Sequence, residues 1–303
     1  MIAASIVQVL SPLLLAPLLL GVIARTKAVV AGRTGAPLMQ PYYDLVKLLQ
    51  KSAVYSRTTT WVFRAGPVVG LAAVLCAVLL VPLGGIPAPF AFEGDLVLFA
   101  YLLGLLRFFT VIAALDTGSS FEGMGASREV TFAALAEPAL LLALASLARK
   151  IGSLSLSTMY GGLDGAAWSG AAPALVLAAG ALLAVFLAEN ARVPVDDPTT
   201  HLELTMIHEV MVLDHGGPDL ALILYGSALK LWLLGALLVE LVVPVRSGTA
   251  WVDGGAAIAG MLGLAVVTGI LESSMARWRL LRVPQLLVGA GVMAAIALVL
   301  MLR

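Results

Sequence analysis

The sequence predicts an all-α polytopic membrane protein of about eight transmembrane helices, with amphipathic and short helices on its cytoplasmic side. Three observations predict it. Of the 303 residues 61% are hydrophobic and 12% charged, with a mean hydropathy of +1.03, whereas soluble domains carry about 25% charged residues. Apolar runs of about 20 residues, enough to cross a hydrocarbon core of roughly 30 Å, recur along the whole chain. The alternating segments of a membrane β-barrel are absent.

The predicted spans are 3–24, 66–84, 96–115, 130–148, 171–189, 219–243, 254–272 and 283–302, in one integral membrane domain, 1–303. The first is too long for a signal peptide's apolar core and lacks a basic start, so it is expected as a retained helix. Twelve Lys and Arg residues fall in the loops on one side, from Arg25 to Arg282, and four on the other. The positive-inside rule makes the first side cytoplasmic, with both termini outside. Zero net charge offers no field for nucleic acid, and a lone Cys76 leaves no disulfide or cysteine-held cluster on this chain.

Between the first two spans, "PYYDLVKLLQKSAVY" (41–55) sets Tyr42, Leu45, Leu48 and Leu49 on one stripe and Asp44, Lys47 and Lys51 elsewhere. This pattern predicts an amphipathic helix at the membrane surface or against a partner. "DTGSSFEGMGASRE" (116–129) reads as a glycine-rich loop leading into the fourth span. It lacks the Gly-Lys-Ser/Thr ending of a phosphate loop, which leaves a close-packed loop or a docking contact. No internal repeat is visible, which argues against an inverted-repeat transporter.

Ionisable groups at bilayer depth are costly and mark protein interiors or ion paths. Here they are Arg107, Glu137, Lys230 and Glu240, with Glu189 and Glu272 at the cytoplasmic ends of their spans. Two readings apply: exchangeable protons on carboxyls raised by burial and lowered by nearby cations, or static ion pairs. The polar stretch 190–217 follows the fifth span. Asp197–Pro198 signals a helix start and Gly216–Gly217 a stop, so a short enclosed helix is expected to about Asp214. His201, His208 and His215 are seven residues apart, a rise of about 10 Å each, too far to ligate one ion. No metal site is expected; His201 and His208 read as structural or as proton-relay groups, and a relay that includes Glu189 and Asp196 would continue through Glu203 and Glu209.

Four passages carry a resemblance: "RFFTVIAALDTGSSFEGMGASREVTFAALAEPALLL", "TTWVFRAGP", "RTGAPLMQPYYDLVKLL" and "LESSMARWR". They closely resemble the membrane subunit of formate hydrogenlyase and hydrogenase-4 complexes (subunit 4, or component C). That family is related to the quinone-site membrane subunit of respiratory complex I. Its fifth-span motif is matched by Ala188, Glu189, Arg192, Pro194 and Asp196, and its last acid by Glu203; intervening acids are replaced by Thr199 and His201. The resemblance implies a subunit that anchors a peripheral arm carrying iron–sulfur clusters and, in hydrogenases, a nickel–iron centre. It implies antiporter-like membrane neighbours and buried carboxylates that couple electron transfer to proton or sodium movement. Arg33, Asp44, Lys47, Arg128, Glu129, Arg192, Arg277 and Arg279 then become the expected partner-docking residues, and any redox cofactor belongs to the partners. The competing readings are a quinone-binding complex I-type subunit, a free-standing permease and a purely structural anchor.

Overall fold

A computed structural model describes residues 2–196 and 206–302. The expected helix cap Asp197–Pro198 and the residues Thr199, His201 and Glu203 lie outside the described residues. Eight helices are long and apolar enough to cross a membrane, and no strand occurs among the described residues. In chain order the helices are α1 (Ile2–Val30), α2 (Gln40–Leu49), α3 (Trp61–Val78), α4 (Asp95–Asp116), α5 (Ser120–Ile151), α6 (Leu156–Gly161), α7 (Gly165–Glu189), α8 (Gly217–Val242), α9 (Ala250–Ser274) and α10 (Val283–Met301). α2 and α6 are the short ones. The chain is an all-α polytopic membrane protein.

α8 is the most enclosed of the eight spanning helices. α3, α1, α7, α9 and the surface helix α2 all pack on it, while α10 is held by α5 and α7. Its central run Leu229–Leu241 is buried almost without interruption, which explains why its apolar residues show no preferred face. Several helices contain proline, which frees the carbonyl four residues earlier. In α1 the carbonyl freed by Pro12, on Gln8, accepts from Ser11 Oγ at 3.1 Å, and that freed by Pro17, on Leu13, accepts from Tyr225 Oη at 2.8 Å.

Three elements depart from the sequence expectation. α3 starts five residues before the expected span and ends at Val78. Its start is fixed by Asp116 at the end of α4, whose carboxylate accepts from the Thr60 N–H at 2.6 Å and the Phe63 N–H at 3.3 Å. The glycine-rich stretch is not a loop: after Gly118, at φ 69°, it forms the first turns of α5, which begins ten residues before the expected span. Third, the helix expected to reach Asp214 is, over its described residues, a 3-10 turn at Glu209–Val212. Side chains rather than an α-helical ladder satisfy this backbone: Asp196 accepts from the Ile207 N–H at 3.0 Å and Glu122 from the Asp214 N–H at 3.0 Å.

The two membrane faces differ in chemistry. On the side away from the basic loops, carboxylates pin loops together. Asp95 accepts from the Leu156 N–H at 2.6 Å and Ser155 Oγ at 3.0 Å, and Glu93 from the Leu154 N–H at 2.6 Å. The basic side carries α2 and residues 190–196 and 206–216, where the site is built.

Candidate functional site: a buried ion-pair network on the basic side

α4 supplies the hub. Arg107 is the thirteenth residue of a 22-residue helix, which puts it near mid-span. Its guanidinium fork meets three carboxylates: Nε lies 2.9 Å from Glu129 Oε1, Nη2 lies 2.5 Å from Glu189 Oε1, and Nη1 pairs with Glu137. Arginine suits this position because five donors in one plane serve several acceptors at once. Glu189 ends α7, and its second oxygen takes Lys230 Nζ of α8 at 3.2 Å. Three helices and two cations therefore share one carboxylate.

The network continues to the loops. His208 Nε2 lies 3.2 Å from Glu129 Oε2, and its Nδ1 lies 4.0 Å from Asp196 Oδ2. Asp196 Oδ1 pairs with Arg277 Nη2 at 2.8 Å. Burial pushes the Asp196 carboxyl up. The imidazole of His208, the Ile207 N–H and the Arg277 guanidinium together outweigh it and hold the group below the usual carboxylate range. A second, smaller cluster joins α1 to α9: Lys27 Nζ and Arg192 Nη1 lie 2.9 and 3.4 Å from the two oxygens of Glu272. Burial draws the Arg192 guanidinium below its ordinary value, and Glu272 and then Glu209 oppose that shift.

Glu129, Glu137 and Glu189 face Arg107 and Lys230, so the fully ionised cluster carries one more negative than positive charge, with Glu137 half-exposed.

A cavity of about 330 Å³ adjoins the network. Arg107, Glu129, Glu189, Lys230 and His208 form its polar end, while Leu20, Leu71, Leu103 and Leu222 are among its apolar walls. His215 also lines it, stacked on Phe63 with ring centroids 3.8 Å apart and planes at 8°. Burial lowers the His215 imidazole, opposed by Asp219 and Asp214.

Several expected site residues fall elsewhere than predicted. Glu129 and Arg192, expected at a docking surface, are enclosed: side-chain exposures are 7% and 11%, because their helical and loop positions aim them at Arg107 and Glu272. Arg277 and Arg128 are partly buried and tie the loops together, Arg277 through Asp196 and Arg128 by donating to the Met206 carbonyl at 2.7 Å. Arg33, Asp44, Lys47 and Arg279 remain exposed. Glu240 does not join the network. It lies ten residues beyond Lys230 in α8, about 15 Å along the axis, and pairs with Arg246 at 2.8 Å while accepting from the Gly84 N–H. Apolar residues fill the interval, so Glu240 is a loop clamp at the other face. Glu137 is 49% exposed on the side of α5, not buried. Lys27, Glu122 and the His215–Phe63 stack were not anticipated; Lys27 counted only among the cations of the loop after the first span, and it falls in the last turn of α1.

Fold and site thus define a multi-pass helical membrane protein with a continuous charged network opening to its basic side. The chain belongs to the NADH dehydrogenase family, whose sequence pattern matches residues 4–303. It is 31% identical to formate hydrogenlyase subunit 4 of Escherichia coli (strain K12), over 91% of this chain and 90% of that protein. It is 33% identical to hydrogenase-4 component C of the same organism, over 79% and 75%. The fold is shared with a chain of the membrane-bound sulfane sulfur reductase, an archaeal respiratory membrane complex, at a TM-score of 0.83 and 20% identity, covering 99% of each chain. The resemblance read from the four sequence passages holds.

Proposed function

We propose that this chain is the membrane-anchoring and ion-coupling subunit of a membrane-bound [NiFe]-hydrogenase-like complex related to respiratory complex I. It docks an iron–sulfur and hydrogenase-like arm on its basic side and links that arm's electron transfer to proton or sodium translocation. The redox centres belong to the arm. Antiporter-like subunits flank the chain in a bacterial or archaeal cytoplasmic membrane, with both termini outside.

One observation carries this reading: ionisable side chains follow one another, none more than 4.0 Å from the next, from mid-span Arg107 and Lys230 through Glu189, Glu129 and His208 to Asp196 and Arg277 at the loops. Buried ion pairs are poor stabilisers, since desolvation consumes most of their attraction. A fold needing only an anchor gains little from four buried cation–carboxylate pairs in one connected set. Glu137 supports the membrane partners. A half-exposed carboxylate at bilayer depth costs about 3 kcal/mol or more against lipid, a cost that a neighbouring subunit removes.

The test is purification of the chain from its native membrane. Iron–sulfur subunits and antiporter-like subunits are expected to accompany it, with iron and nickel in the preparation. A chain that purifies alone and transports ions alone would overturn the proposal in favour of a permease.

A second reading is favoured by the cavity. Its apolar walls and charged end suit a quinone, which would make this the quinone-binding subunit of a complex I-type oxidoreductase. Bound quinone, or electron transfer that depends on added quinone rather than hydrogen evolution, selects that reading.

A further inference from the structure

The 206–216 segment lies as a strap along the first turns of α5, antiparallel to it. Met206 is held at Arg128, and His208 lies 3.2 Å from Glu129. Further along, a Cβ on Gly125 would overlap the Val210 side chain and come within 3.0 Å of Met211 Cγ and 3.1 Å of the Ile207 carbonyl. At the far end Glu122, fully buried, accepts from the Asp214 N–H at 3.0 Å. Positions 122, 125 and 129 share one face of a helix. The same face therefore carries the network acid, Glu129, and two contacts that seat the strap opposite it.

We infer that Glu122 and Gly125 are positioning residues for His208, holding its imidazole between Glu129 and Asp196. The inference rests on the reading of the buried network as an ion-coupling path. Glycine inside a helix is less favourable than alanine, so its place here needs a reason. Close approach of Val210, Met211 and Ile207 supplies one. Any side chain at 125 pushes the strap off α5 between its two pinned ends. His208, two residues from Val210, then moves from Glu129. Asp196 is held to the same strap through the Ile207 N–H at 3.0 Å, so the link from Arg107 to Arg277 breaks at the imidazole while each outer pair survives.

The experiment uses the complete complex in its native membrane, with Gly125→Ala, Gly125→Ala/Val210→Ala, Glu122→Gln and Glu122→Ala. Two quantities are read: the rate at which diethyl pyrocarbonate modifies His208, located by mass spectrometry, and the pH profile of ion movement per electron. Gly125→Ala is expected to raise His208 reactivity several-fold and to shift the pH profile. Val210→Ala in that background removes the overlapping methyls and restores both. Glu122→Gln keeps an acceptor for the Asp214 N–H and stays near wild type, whereas Glu122→Ala behaves as Gly125→Ala. If Gly125→Ala does not assemble, the two Glu122 variants carry the same comparison. Wild-type His208 reactivity in both Gly125→Ala and Glu122→Ala overturns the inference. Raised reactivity with unchanged ion movement upholds the positioning role and counts against the coupling reading itself.

Discussion

Lys230 Nζ lies 3.2 Å from Glu189 Oε2, at the point where the last residue of α7 meets the middle of α8. With Arg107 on the other oxygen at 2.5 Å, this carboxylate bridges α4, α7 and α8. Two cations therefore hold one carboxylate from either side.

Arg107 holds three carboxylates, so removing it should be more damaging than removing any one acid. Arg107→Leu leaves Glu189 with Lys230, Glu129 with His208 and Glu137 without the cation it pairs with. Stripping a buried charge of its partner costs about 3–5 kcal/mol. The purified complex should lose thermal stability by a comparable amount, read in a melting experiment. Arg107→Lys should recover only part of it, because one ammonium does not reproduce the planar fork. Equal stability of wild type and Arg107→Leu would contradict the hub role.

The Glu240–Arg246 pair should behave differently. Arg246→Ala strands Glu240, which is 2% exposed, and frees the loop around Gly84 and the Tyr160 carbonyl, to which Arg246 donates at 2.9 Å. We expect destabilisation of about 3 kcal/mol or more with ions moved per electron unchanged in the assembled fraction. A loss of coupling at full stability would return Glu240 to the ion path.

Acid should loosen the strap in two stages. His215 is held below its ordinary value by burial, with Asp219 and Asp214 opposing. A group lowered in the fold contributes stability that is complete above its unfolded value, about 6.5 for histidine, and is lost as pH falls through the folded value. Asp196, also lowered in the fold, contributes above about 3.9 and loses it further into acid. Melting temperature against pH should therefore fall below about pH 6.5, and His215→Phe, which keeps a ring against Phe63, should flatten that limb. An unchanged slope in the variant would contradict this assignment.

Much of the architecture was legible because it depends on local composition. Apolar runs and the mid-span ions Arg107 and Lys230 needed no tertiary information, and the match at Glu189, Arg192 and Asp196 marked the site region. What stayed hidden depends on contacts distant in sequence. Gly123 and Gly125 looked like loop residues because the strap that occupies the space beside Gly125 arrives some 85 residues later. Glu129 and Arg192 looked like docking charges because nothing local reveals that Arg107 and Glu272 lie opposite. Glu240, near an interface, stood open between a static pair and the ion path; the position of Gly84 and Arg246 makes it a clamp.

The central claim is that the buried network links electron transfer to ion movement. It is tested most directly by counting protons or sodium ions moved per electron pair in sealed vesicles carrying the complete complex with Glu189→Gln. The glutamine keeps the volume and an oxygen for Arg107 or Lys230 while removing the titratable charge. An assembled complex that transfers electrons and moves no ions is expected; translocation at the wild-type ratio would contradict the coupling role.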